Sequence, residues 1–90
     1  MKIEWRPMAE EDRERIFDFI ARDKPAAALA LDEELEAKAA NAALNPTLYK
    51  PGRVRGTREI VVRPNYVMVY SVKGEVLTIL RVLHAAQKWP

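Results

Sequence analysis

The stretch REIVVRPNYVMVYSVKGEVLTILRVLH, Arg58 to His84, decides the fold. Ile60, Val61 and Val62 form a β-branched run between Arg58 and Arg63, and Pro64-Asn65 is a two-residue turn signal. Tyr66 to Val72 is β-branched and aromatic, Lys73-Gly74 is a second two-residue turn, and Glu75 to His84 is apolar again. Turns this short force neighbouring strands to run antiparallel, so the stretch predicts a three-stranded meander. Period-two alternation puts Val76, Thr78, Leu80, Val82 and His84 on one face of the last strand, and Leu77, Ile79, Arg81 and Leu83 on the other. Both sets are largely apolar, which places the strand inside the sheet and makes Arg81 and His84 its polar exceptions.

Working upstream, Pro46, Pro51, Gly52 and Gly56 punctuate an irregular loop that also carries Lys50, Arg53 and Arg55. Before it, Pro25 to about Leu44 is almost entirely Ala, Leu, Glu, Asp and Lys, a run of high helix propensity without glycine. Ala28, Leu31, Leu35, Ala39 and Ala42 recur there at helical spacing. A first helix is predicted from Pro7 to about Arg22, with Ile16, Phe17 and Ile20 as its stripe and Glu11/Arg15 and Asp18/Arg22 as i,i+4 pairs. Asp23-Lys24-Pro25 breaks it and is expected to cap the second helix, giving an antiparallel hairpin. Lys2 to Trp5 alternates as a short strand. The expectation is one α+β domain over residues 1–90: a helix hairpin packed on a mainly antiparallel four-stranded sheet, in the order β-α-α-β-β-β.

Ninety residues cannot be divided between two independent cores. With no cysteine there is no disulfide framework, thiolate metal site or thiol nucleophile, and a reducing compartment, the cytoplasm, is expected. No run approaches the roughly 20 apolar residues of a membrane span, and the start of the chain is charged rather than signal-like. The net charge of +2 hides an asymmetry. Residues 1–48 carry 7 Lys/Arg and 11 Asp/Glu, whereas residues 49–90 carry 8 and 2, so a net of −4 adjoins a net of +6. The basic half suits a polyanion or an acidic protein segment.

His84 is the only histidine, so a His-based metal cluster is excluded and no metal or cofactor is expected. The three glycines do not form a phosphate-cradling motif. His84 has the chemistry of a general base for a 2′-hydroxyl in RNA cleavage, with Arg53, Arg55, Arg58 or Arg81 to stabilise the phosphorane and Tyr66 and Tyr70 to stack or donate a proton. The competing reading gives the tyrosines to packing and His84 to a hydrogen bond at the strand end. The acids of the second helix, Asp32, Glu33, Glu34 and Glu36, read as a solvated face.

Three runs, Gly52-Arg53-Val54-Arg55-Gly56-Thr57-Arg58-Glu59, Pro64-Asn65-Tyr66-Val67-Met68-Val69-Tyr70 and Ile79-Leu80-Arg81-Val82-Leu83-His84, resemble toxins of the RelE/ParE superfamily. The resemblance spans nearly the whole chain. It implies the toxin half of a type II toxin–antitoxin module that serves plasmid maintenance or growth arrest. A cognate antitoxin would hold it inactive in a hetero-oligomer, in contact with the apolar residues Ile16, Ile20, Leu31 and Leu35 of the helix hairpin. Two branches of the superfamily stay open. RelE- and YoeB-like members cleave mRNA on the ribosome and carry an Arg after the central-strand Tyr, where this chain has Val67 after Tyr66. Glu59 and Val61 stand where those enzymes carry strand lysines, and Ala85-Ala86 follow His84. His84 alone matches a catalytic position of the YoeB-like members, with Arg81 as an anion binder. The ParE branch lacks that set and acts by binding DNA gyrase and trapping it on cleaved DNA; Arg53, Arg55, Arg58, Arg63, Tyr66 and Tyr70 would then face the target or its nucleic acid. Losing the phosphate-binding cation at Val67 tips the resemblance toward gyrase.

Overall fold

The computed structural model describes residues 1–90. Strand β1 (Lys2–Trp5) leads into helix α1 (Pro7–Ala21) and helix α2 (Pro25–Leu44); β2 (Lys50–Pro51), β3 (Arg58–Arg63), β4 (Tyr66–Lys73) and β5 (Val76–His84) complete the chain. Both helices open on proline at their first position, where its missing N–H is not needed. Lys24 occupies the cap of α2 without a side-chain hydrogen bond, so Asp23 does not cap that helix. Neither expected i,i+4 pair of α1 forms: Arg15 turns to Asp12 rather than Glu11, and Asp18 and Arg22 make no ion pair.

The sheet has five strands in the order β1-β5-β4-β3-β2 and is mixed. The meander is antiparallel as expected, but β1 joins β5 in parallel, with Lys2 opposite Val76 and Trp5 opposite Ile79. The chain leaves β1 through the helix hairpin and returns by way of β2, β3 and β4, well beyond the dozen or so residues that such a parallel pairing requires. The additional strand β2 lies inside the stretch expected to be irregular. It pairs Lys50 with Glu59 and Pro51 with Arg58 at the sheet edge, where a proline is tolerated. The β4–β5 turn is Gly74-Glu75 rather than Lys73-Gly74, since Lys73 already pairs with Val76. Gly74 has φ +58°, the conformation that the first central position of a type II′ hairpin demands.

Leu31, Leu35, Ala39 and Ala42 of α2 pack with Ala9, Ile60, Val62, Met68, Tyr70, Leu77, Ile79 and Val82 in one core between hairpin and sheet. Strict alternation along β5 fails at Leu80. Val69 faces Arg81 while its neighbour Tyr70 faces Ile79, so one residue bulges out and Val82 returns to the same face as Leu77 and Ile79. Ile60 and Val62 share the core face by ordinary alternation, and the β3–β4 register shifts between Val61 and Arg63. Glu59, Val67, Val69 and Leu83 are buried outside that cluster.

Candidate functional site

Asp12 is the hub of the polar groups that tie α1 to β5. It is only 2% exposed, on the helix face that also carries Ala9, Ile16 and Ile20. Arg81 grips it with two parallel hydrogen bonds, Nε to Oδ2 at 2.7 Å and Nη2 to Oδ1 at 2.9 Å. The Val82 N–H donates to Oδ2 at 3.0 Å and Arg15 Nη1 to Oδ1 at 3.3 Å. Burial pushes the Asp12 carboxyl up, yet the bonds from Arg81 and Val82 outweigh it and hold the group below its ordinary value. The same contact raises the Arg81 guanidinium. Fork-on-carboxylate geometry of this kind fixes the Arg81 side chain in place, so its charge is satisfied inside the protein.

His84 sits exposed at the end of β5, its ring meeting Tyr66 edge to face with centroids 5.7 Å apart. Its Nδ1 accepts the Ala86 N–H at 3.2 Å, while the His84 backbone N–H donates to Gln87 Oε1 at 3.3 Å. A neutral imidazole that accepts at Nδ1 carries its proton on Nε2. With Nδ1 taken up by the Ala86 N–H, Nε2 is the ring nitrogen left for a substrate.

The arginines of the second half are mostly engaged. Arg53 binds Glu59 through its backbone N–H, 2.8 Å, and its Nε, 3.3 Å, and reaches the Gln87 carbonyl with Nη1 at 3.3 Å. Arg58 Nη1 donates to the Tyr49 carbonyl at 2.7 Å. Arg63 crosses to the helix layer and pairs with Glu34 at 3.0 Å. Arg55 has no ion pair or side-chain hydrogen bond and points to solvent at the tip of the loop. The loop itself is set by close packing: a Cβ at Gly52 would collide with Thr57 Oγ1, which donates to the Val54 carbonyl at 2.6 Å.

Three expected contact residues lie inside the protein. Tyr70 is fully buried, with its OH donating to the Pro46 carbonyl at 2.7 Å and its ring edge to face with Tyr49; burial pushes its phenol up. Leu31 and Leu35, at 2% and 1% exposure, are spent on the sheet and are not free to meet a partner. Ile16, Ile20 and Tyr66 pack against the same core while remaining partly exposed. Residue types alone do not bring Asp12 forward, although a carboxylate at helical spacing between Ala9 and Ile16 is a charged letter on an apolar stripe. Arg13 is equally silent in the sequence: it lies 4.5 Å from the Trp5 ring centroid and bridges Asp32 and Glu36 at 2.7 Å each.

The sequence profile described as "ParE toxin of type II toxin-antitoxin system, parDE" matches residues 3–89. The chain belongs to this ParE toxin family. A curated relative of the ParE-family chain is "Putative toxin Y4kP" of Sinorhizobium fredii (strain NBRC 101917 / NGR234), 32% identical over 90 residues, which span 99% of this chain and 93% of the relative. Among solved structures, the chromosomal ParDE toxin–antitoxin system of P. aeruginosa superposes with a TM-score of 0.82 at 23% identity, covering 93% of this chain and 95% of the other. The YoeB/ParE toxin of Agrobacterium tumefaciens follows at 0.71 and 18%, covering 93% and 98%. The intact E. coli RelBE toxin–antitoxin complex follows at 0.68 and 18%, covering 96% and 98%. These structures share the fold of the ParE-family chain. No helix of the chain is long and apolar enough to cross a membrane.

Proposed function

We propose that this toxin arrests growth by binding DNA gyrase rather than by cutting RNA, and that a cognate antitoxin holds it inactive until released. The observation that carries the reading is the grip of Arg81 on Asp12. RNA cleavage by attack of the 2′-hydroxyl passes through a dianionic phosphorane, which needs an available cation and an available base in one place. Arg81 is engaged with a buried carboxylate, Val67 follows Tyr66, and the Nδ1 of His84 is taken up by the Ala86 N–H. The family match supports the toxin half of a two-protein module. Plasmid stabilisation or growth arrest in the cytoplasm is the cellular role that fits it.

The test is a supercoiling assay with purified toxin. Supercoiling should fall and cleaved DNA accumulate as toxin is added, equally with His84→Ala, while primer extension on translated mRNA shows no new ends. Gyrase left unaffected at micromolar toxin would overturn the reading. One observation favours mRNA cleavage instead: the exposed His84 ring lies against Tyr66 at the end of β5. Under that reading, cuts appear in translated mRNA and vanish in His84→Ala.

A further inference from the structure

Between the start of α1 and the bulged segment of β5 lies a groove of about 400 Å³, lined by Arg6, Pro7, Met8, Leu80, Arg81 and Trp89. Met8 is 54% exposed, and Leu80 and Trp89 are half-buried, so a bulky apolar side chain would find hydrocarbon on several sides. Methionine adapts to the shape of what it meets, and tryptophan is a frequent anchor of protein contacts. No carboxylate lines the groove. Arg81 is neutralised by Asp12, but Arg6 is exposed and has neither an ion pair nor a side-chain hydrogen bond. The first turn of α1 beside it has no side-chain cap, and the acidic residue of that turn, Glu10, is not among the residues lining the groove.

We infer that this groove receives a bulky apolar side chain of the antitoxin, flanked by a carboxylate that pairs with Arg6. The inference rests on the proposal that an antitoxin holds this toxin. A second copy docked with the two-fold axis through this groove would bring the two Arg6 side chains together, whereas an acidic segment complements Arg6. Because the walls come from α1, β5 and the chain after β5, one inserted side chain would contact all three.

The test uses the toxin in complex with its antitoxin, compared with toxin alone, by hydroxyl-radical footprinting read residue by residue. Oxidation of Met8 and Trp89 should slow at least tenfold in the complex. Arg6→Glu and Met8→Glu, both at exposed positions, should weaken the complex at least tenfold while leaving the thermal midpoint of the free toxin unchanged. A complex in which Met8 and Trp89 react as fast as in free toxin overturns the inference and leaves the proposed function standing. Unchanged affinity in both variants also overturns it. Absence of any complex overturns the antitoxin reading itself.

Discussion

Arg81 and Asp12 stand 69 positions apart in the chain, yet they tie α1 to the last strand through two parallel hydrogen bonds of 2.7 and 2.9 Å. The same carboxylate takes the Val82 N–H, so it also holds the backbone immediately after the bulge in β5. One side chain thereby sets both the helix position and the strand register.

Asp12→Ala should destabilise the fold by about 3–5 kcal/mol, because it strands a largely buried guanidinium and a buried N–H together. That is a large share of the roughly 5–15 kcal/mol typical of whole domains. Urea unfolding followed by far-UV circular dichroism measures it, and a loss under about 1 kcal/mol would deny Asp12 its role as the tie between helix and strand.

Acid should weaken the protein through the same residue. The Asp12 carboxyl lies below its ordinary value in the fold, so its contribution is complete above the unfolded value of about 3.9 and disappears as pH falls through the folded one. Urea midpoints should therefore drop more steeply on acidification in the wild type than in Asp12→Asn. Parallel curves would contradict the assignment.

Leu35→Ala should cost about 2–5 kcal/mol by leaving a cavity under α2. Phe19→Ser, at a position 68% exposed, should stay within about 0.5 kcal/mol. Any loss of antitoxin binding in Leu35→Ala then reports unfolding, which thermal denaturation of the free toxin would reveal.

Gly52→Ala should cost about 1–3 kcal/mol, since the new methyl group meets Thr57 Oγ1 and the Thr57 backbone. Adding Thr57→Ala should restore part of that loss in thermal melts. No recovery would locate the strain elsewhere in the loop.

The strands of the meander and both helices are legible in the sequence because their signals are local: β-branched runs between two-residue turns, and proline at the first helical position. Non-local features are not. β1 pairs with β5 across nearly the whole chain, and β2 is two residues long and contains Pro51, so neither carries a signal of its pairing in its own letters. The bulge at Leu80 is written partly in Asp12, far away in sequence, and alternation misassigns Val82 for that reason. For the candidate site, His84 and Tyr66 are legible as a strand end and a strand start, and the fold brings their rings together. The arginines are legible as charge but not as partners, since Glu34, Glu59 and Asp12 reach them only after folding. Tyr70, Leu31 and Leu35 look like surface candidates in an aromatic strand and a helix of alanines; burial decides otherwise.

The parallel seam between β1 and β5 has a consequence for biosynthesis. The first strand has nothing to zip onto until the last has been made, so a nascent chain emerging from the ribosome holds an unfinished sheet for most of its translation. A message broken before the codons for Val76 to His84 would yield a polypeptide lacking the strand that joins β1 to the rest of the sheet, unable to complete the toxin fold.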